Sequence, residues 1–341
     1  MFLVTFHGDI KNAWAYDDNG NLKAEGVLDK DGDQLRGIYL EQASPGAAQY
    51  LYVADGSKDS SEVYCYRGAG TSYERVSTFI SPDDEEAMLH PFAVAFDGHG
   101  NCWVSNQNTN VVAMFAVESD GQSAYHSSVG TYLTGLYPKI GKFLDGTVVA
   151  SSRAPLPDAP QTEDVTAVPI KDGGLDVKIK NDKITHSVRD VVFYMFSNDS
   201  GNYPLLFVSD EPAGLVRLYQ AATGTHILDS NQLGSPVHLL LAGDTIYVGD
   251  GNQVLSSPVP NFFDPKVNWA FNAVSLSPPL PGDQPVSGMA FDNSGNFHVA
   301  VRSTESGEVP QVWKYDSSFS NGAPWPATMP DNPEFLLHIP D

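Results

Sequence analysis

Basic residues are scarce in this chain: 19 Lys and Arg stand against 42 Asp and Glu, a formal net charge of −23. A nucleic acid needs clustered cations to neutralise its phosphates, so this balance argues against nucleic acid as a partner. It argues equally against an anionic membrane surface. Cysteine is almost absent. Cys65 and Cys102 are too few for a disulfide framework and lack metal-type spacing. They are expected as two separate buried thiols, a single bridge being the alternative. No run reaches the roughly 18 apolar residues that would span a bilayer. No basic leader with an apolar core and cleavage site precedes the opening MFLVTF. Two expectations follow: a cytoplasmic protein, or a secreted one whose leader has been removed.

What the chain has in quantity is short β-type runs. Its 341 residues are 41% hydrophobic, enough for a real core. Between His90 and Phe115 three runs, PFAVAF, CWV and VVAMF, are separated by DGHGN and by a polar loop, which reads as an antiparallel meander. A near copy runs from Pro285 to Tyr315. The second run has a recognisable centre, a valine after an aromatic or aliphatic residue and before a small or polar one. It recurs at Val4, Val53, Val104, Val149, Val208, Val248 and Val299, at intervals of 49, 51, 45, 59, 40 and 51 residues. A first run precedes six of the seven, although TGLYPKIG near Leu136 is a poor match.

Four antiparallel strands per unit, repeated at 40 to 59 residues, predict an all-β fold: a single β-propeller domain over 1–341 with seven blades, six being the alternative. A lone four-stranded sheet cannot bury both faces; stacking sheets around an axis does. The chain begins on a second run, so blade one lacks its innermost strand. The segment Pro333 to Ile339 is the natural donor, closing the ring between the two ends of the chain.

The units HPFAVAFDGHGNCWVSN and QPVSGMAFDNSGNFHVAV resemble NHL-type and gluconolactonase-like (SMP-30-like) propeller repeats, with a Pro-containing first strand, a D-x-x-G-N turn and a valine-centred second strand. The resemblance covers nearly the whole chain and specifies architecture. It implies a range of activities: metal-dependent lactonases and other hydrolases, lyases acting on carbohydrates, and non-catalytic scaffolds. The metal-binding Asn usual just after the first-strand Pro is not at Phe92 or Val286.

Loops entering the innermost strand and loops joining second and third strands share one face around the axis, where binding sites gather. The first set supplies Arg36, His90, His186, Arg189 and His238. The second supplies His7, Asp9, Asp55, Asn106, Asn108, Arg153, Asp210, Glu211, Asp250, Asn252, Arg302 and Glu308. His90 and His186 occupy matching positions and are candidate general bases, since imidazole titrates near neutrality. Arg189 or Arg153 would neutralise a substrate carboxylate, and Tyr137 (or Tyr132) would act as the acid. Arg36, Asn106, Asn108, His238 and Arg302 are candidate substrate contacts. Asp55, Asp210 and Asp250 repeat one blade position. They could ring a Ca²⁺ or Mg²⁺ near the axis, or cap local turns.

The expected function is therefore a monomeric propeller enzyme acting on a small molecule or carbohydrate. Cleavage of a C–O bond next to a carboxylate in a uronate-containing substrate is the first reading. A metal-dependent lactonase or hydrolase, or a non-catalytic binding propeller, are the alternatives.

Overall fold

The computed structural model describes residues 1–41, 49–57, 61–81, 88, 90–107, 112–118, 121–122, 187–199, 201–221, 224–264, 266–304 and 308–340, and the backbone of 111, 124–126, 165–169 and 175–179. Among these residues there is no α-helix, and none long and apolar enough to cross a membrane.

Six four-stranded antiparallel sheets make up the ring. Their innermost strands are Leu35–Glu41, Pro91–Phe96, Val188–Asn198, Pro236–Ala242 and Val286–Phe291 in blades two to six. Blade one consists of Phe2–His7, Trp14–Tyr16 and Leu22–Ala24, with Asn332–His338 added inside Phe2–His7. The pairing runs from Phe2↔His338 to His7↔Asn332. The expected closure between the chain's two ends is thus observed, and the open edge at the N-terminal strand is paired.

The expectation of seven blades is corrected to six. The inner strands of blades three and four are direct neighbours in the ring. Trp103 stacks on Phe193 with ring centroids 5.5 Å apart, and the Ser105 hydroxyl donates to the Arg189 carbonyl at 2.5 Å. Nothing can be inserted between sheets that touch in this way. The runs assigned to the third and fourth strands of another blade instead form a separate two-stranded pair, Val165–Pro169 with Leu175–Ile179. Val149 and the poorly matching run near Leu136 lie outside the described residues.

The repeated valine has a positional reason. Val53, Val104, Val208, Val248 and Val299 pair with Ile38, Val94, Val191, Leu239 and Met289 of the inner strands, and Val4 pairs with Leu336. These valines are fully buried. The small or hydroxylic residue after each faces the next blade. Thr5 donates to the Arg36 carbonyl at 2.9 Å and Ser209 to the Val237 carbonyl at 2.6 Å. At Gly249 a Cβ would meet Val286 at 2.7 Å. A large side chain here would push two blades apart.

Just before the paired position, every inner strand carries a register shift: between Leu35 and Ile38, Pro91 and Ala93, Val188 and Val191, Pro236 and Leu239, and Val286 and Gly288, and beside Pro333 in blade one. Such bulges re-aim side chains. Six of them around one axis present Arg36, Phe92, Arg189, Val237, Ser287 and Glu334 at equivalent places near the mouth of the ring.

Candidate functional site

Three arginines gather at this mouth from alternate blades: Arg36 from blade two, Arg189 from blade four and Arg302 from the second-to-third-strand loop of blade six. Two carboxylates hold them. Glu334, 2% exposed, lies 3.4 Å from Arg36 and 3.1 Å from Arg302. Glu211 takes two hydrogen bonds from Arg189, Nε donating at 2.7 Å and Nη2 donating to the same oxygen. Its other oxygen accepts from the Ser235 hydroxyl at 3.1 Å.

Two histidines flank Arg36. Its Nη1 contacts His7 Nδ1, and its Nη2 lies 3.4 Å from His90 Nε2. Burial and then the Arg36 charge lower the pKa of His7 below the usual value, with Glu334 opposing. His7 is therefore neutral near pH 7. Because Nδ1 is taken by the guanidinium, its proton sits on Nε2. Burial also lowers the pKa of Arg36, again against Glu334; an arginine this far from water needs its carboxylate. His90 adopts a left-handed backbone, φ 57°, uncommon for a residue with a side chain. Its N–H donates to Ser61 Oγ at 3.0 Å and its carbonyl accepts from Gln107 N at 3.0 Å. Those bonds hold the imidazole beside Arg36. Gly56 leaves room for this approach, since a Cβ there would stand 3.2 Å from His90 Nε2.

The other alternate blades supply a floor. Phe335 of blade one, Phe92 of blade three and His238 of blade five pack against one another across the axis, with ring centroids 4.5 to 5.5 Å apart. The Arg189 guanidinium lies 5.6 Å from the Phe92 ring centre, within cation–π range. Burial pushes the His238 pKa well down, and Arg302, Arg189 and Arg36 push it the same way; the fields of all three arginines thus meet at this ring. On the channel side a cavity of about 190 Å³ is lined by residues of all six inner strands, Asp190 and His238 among them. The buried Asp190 carboxyl is pushed up to about 7, although it accepts from Leu239 N and Val191 N.

Of the residues singled out from sequence, Arg36, His90, Arg189, His238 and Arg302 come together here. Asn106 is buried in blade three and its side-chain amide donates to the Val104 carbonyl at 3.1 Å. Asn108, His186, Arg153 and Tyr137, with Tyr132, lie outside the described residues. The three aspartates each serve their own blade. Asp55 accepts from the backbone N–H of Asp33 and Gln34 at 2.7 and 2.9 Å. Asp210 accepts from Ser187 N at 3.0 Å and from the fully buried Arg217 at 3.2 Å. Asp250 accepts from Gly234 N at 3.0 Å and from Ser235 N. Among the described residues no group of three or more His, Cys, Asp or Glu could hold a metal ion. Cys65 and Cys102 are buried and unbridged. His99 is exposed on its turn and His298 is buried between blades.

Sequence reasoning missed Glu334, Phe92 and Phe335. The signal was present for the first: once Pro333 to Ile339 closes blade one, its P-E-F aligns with L-R-G of blade two and V-R-D of blade four, which places Glu334 level with Arg36 and Arg189.

No protein-family model matches the chain, and no curated protein matches its sequence. Solved structures match its fold. A periplasmic gluconolactonase from Pseudomonas aeruginosa superposes with a TM-score of 0.51 at 13% identity, covering 98% of each chain. A Bacteroides uniformis protein provisionally named a 6-phosphogluconolactonase gives 0.54 at 12% identity, again over 98% of each chain. A chain from a nidogen–laminin complex gives 0.51 at 13% identity, covering 98% of this chain and 96% of that one. The propeller resemblance read from the repeats is borne out at the level of the fold.

Proposed function

We propose that this protein is a small-molecule hydrolase that opens a lactone, or cleaves a related ester, of a carbohydrate-derived acid at the axial mouth. The observation that carries this reading is the convergence of three guanidinium groups from alternate blades on the axial mouth, with His90 held beside one of them. Two structurally similar propellers named as lactonases support the reaction class.

In this reading the partly exposed Arg189 and Arg302 take the acid group of the substrate, since a guanidinium offers paired donors to a carboxylate. His90 removes a proton from the attacking water, its Nε2 exchanging the long 3.4 Å contact with Arg36 for the water. Water oxygen bonds to the lactone carbonyl carbon, the ring C–O bond breaks, and the proton is delivered to the departing ring oxygen. Guanidinium charge stabilises the oxyanion that develops on the carbonyl. His186, Arg153 and Tyr137 belong to this proposal on sequence pattern alone. Asp55, Asp210 and Asp250 spend their oxygens on loop N–H groups and on Arg217, so as placed they do not fit a Ca²⁺ or Mg²⁺ site.

A second reading, a lyase that abstracts the proton next to a uronate carboxylate, draws on the same arginines. Turnover of a panel of sugar-acid lactones, uronate esters and uronate-containing disaccharides tests both. The hydrolase reading expects acid release from a lactone or ester, and a fall in kcat/KM of about a hundredfold in Arg302→Ala. An unsaturated, ultraviolet-absorbing product would replace it with the lyase. No turnover of any member by the wild type would overturn both in favour of a binding propeller.

A further inference from the structure

The charge balance at the axis bears on which anion the mouth accepts, and this inference rests on the reading of that mouth as a site for an acidic substrate. The three guanidinium groups face the carboxylates of Glu211 and Glu334, which leaves one positive charge among these five groups. Asp55 and Asp331 stand behind it, their carboxylates turned to the backbone N–H groups of their loops, and their fields reach Arg36 and His7 respectively. They reduce the surplus further. Neutral His7 adds nothing to it.

A phosphate monoester carries about −1.5 to −2 at pH 7, and a carboxylate carries −1. A ring with one surplus positive charge compensates the second and leaves the first partly uncompensated beside two fixed carboxylates. The free donors have the matching shape. Arg189 gives Nε and Nη2 to Glu211, which leaves Nη1 available among the described residues. Arg302 gives Nη1 to Glu334, which leaves Nε and Nη2 among the described residues. Both side chains are partly exposed, 20% and 24%, whereas Arg36 is closed off. The planar Nε–Nη2 fork that Arg302 keeps fits a planar carboxylate.

We propose that Glu211 and Glu334 are specificity-determining residues: by trimming the arginine ring to no more than a single surplus charge they make the mouth select a monocarboxylate, such as a uronic acid group, over a phosphate ester.

Calorimetric titration with D-glucuronate, glucose 6-phosphate and glucose tests this on the wild type and on Glu211→Gln. Glu211 is partly exposed, and glutamine can still accept from Arg189. The wild type is expected to bind glucuronate at least tenfold more tightly than glucose 6-phosphate, and glucose more weakly still. Glu211→Gln is expected to narrow the ratio at least fivefold by tightening the phosphate ester. Equal or tighter binding of glucose 6-phosphate to the wild type would overturn the proposal, without needing the variant to fold. So would an unchanged ratio in Glu211→Gln, which is what a merely structural role predicts. Glucuronate binding at the expected ratio with no lactone turnover would sink the hydrolase reading and leave this one standing. Failure of both acids to bind would sink the acidic-substrate reading and this inference together.

Discussion

The carboxylate of Glu334 lies 3.4 Å from the guanidinium of Arg36, one from the strand that closes the ring and the other from blade two. Both are almost fully buried, and Glu334 also holds Arg302. The pair therefore locks the chain's last strand to its neighbouring blade while it places two charges of the candidate site. Removing one partner of a buried pair strands the other, so Glu334→Ala is expected to lower unfolding stability by about 3–5 kcal/mol. Urea denaturation measures this; a change under 1 kcal/mol would show that water already compensates Arg36.

Blade six carries a buried relay whose pH response can be given a sign. Trp325 Nε1 donates to His298 Nδ1 at 3.2 Å, and His298 Nε2 lies 3.2 Å from Asp292. Burial lowers the His298 pKa from 6.5 to about 4, against the pull of Asp292. Between those values the unfolded chain binds a proton that the folded chain refuses. Stability is therefore lost as pH falls from about 6.5 to about 4, by roughly 3 kcal/mol. Asp292 adds a later loss: its pKa is depressed from 3.8 to about 2, so its contribution disappears as pH drops through that lower window. In His298→Gln the first loss should vanish, and its melting temperature should approach that of the wild type between pH 7 and pH 4.5. A constant difference between the two would contradict the assignment.

Close packing of inner strands predicts a third outcome. A Cβ on Gly37 would stand 2.6 Å from the Phe92 carbonyl oxygen, which is backbone and cannot swing aside. Gly37→Ala should cost about 1–3 kcal/mol, read from the denaturation midpoint. A neutral result would mean that blades two and three can slide apart at the axis.

The fold was legible because its repeat is a packing requirement. Each valine sits opposite an inner-strand residue and each following small residue meets the next blade, so selection for close stacking writes the same letters in every blade. The blade count was not legible. Val149 matches the local pattern, but only contact between Trp103 and Phe193 decides that blades three and four are adjacent, and such a contact leaves no local mark. The arginines were readable as charges at the starts and ends of inner-face strands in an acidic chain. Glu334 carries no local mark, since one more carboxylate is ordinary in an acidic chain; it shows only when Pro333 to Ile339 is aligned with the other inner strands.

The central claim is that an acid group is gripped at the axis by Arg189 and Arg302. Its most direct test is a crystal structure of the protein with D-glucuronate bound. The account predicts the carboxylate within hydrogen-bond distance of unused N–H groups of Arg189 or Arg302, above the Phe92–His238–Phe335 floor. A carboxylate bound away from all three arginines, or sugar found only on the outer strands, would contradict it.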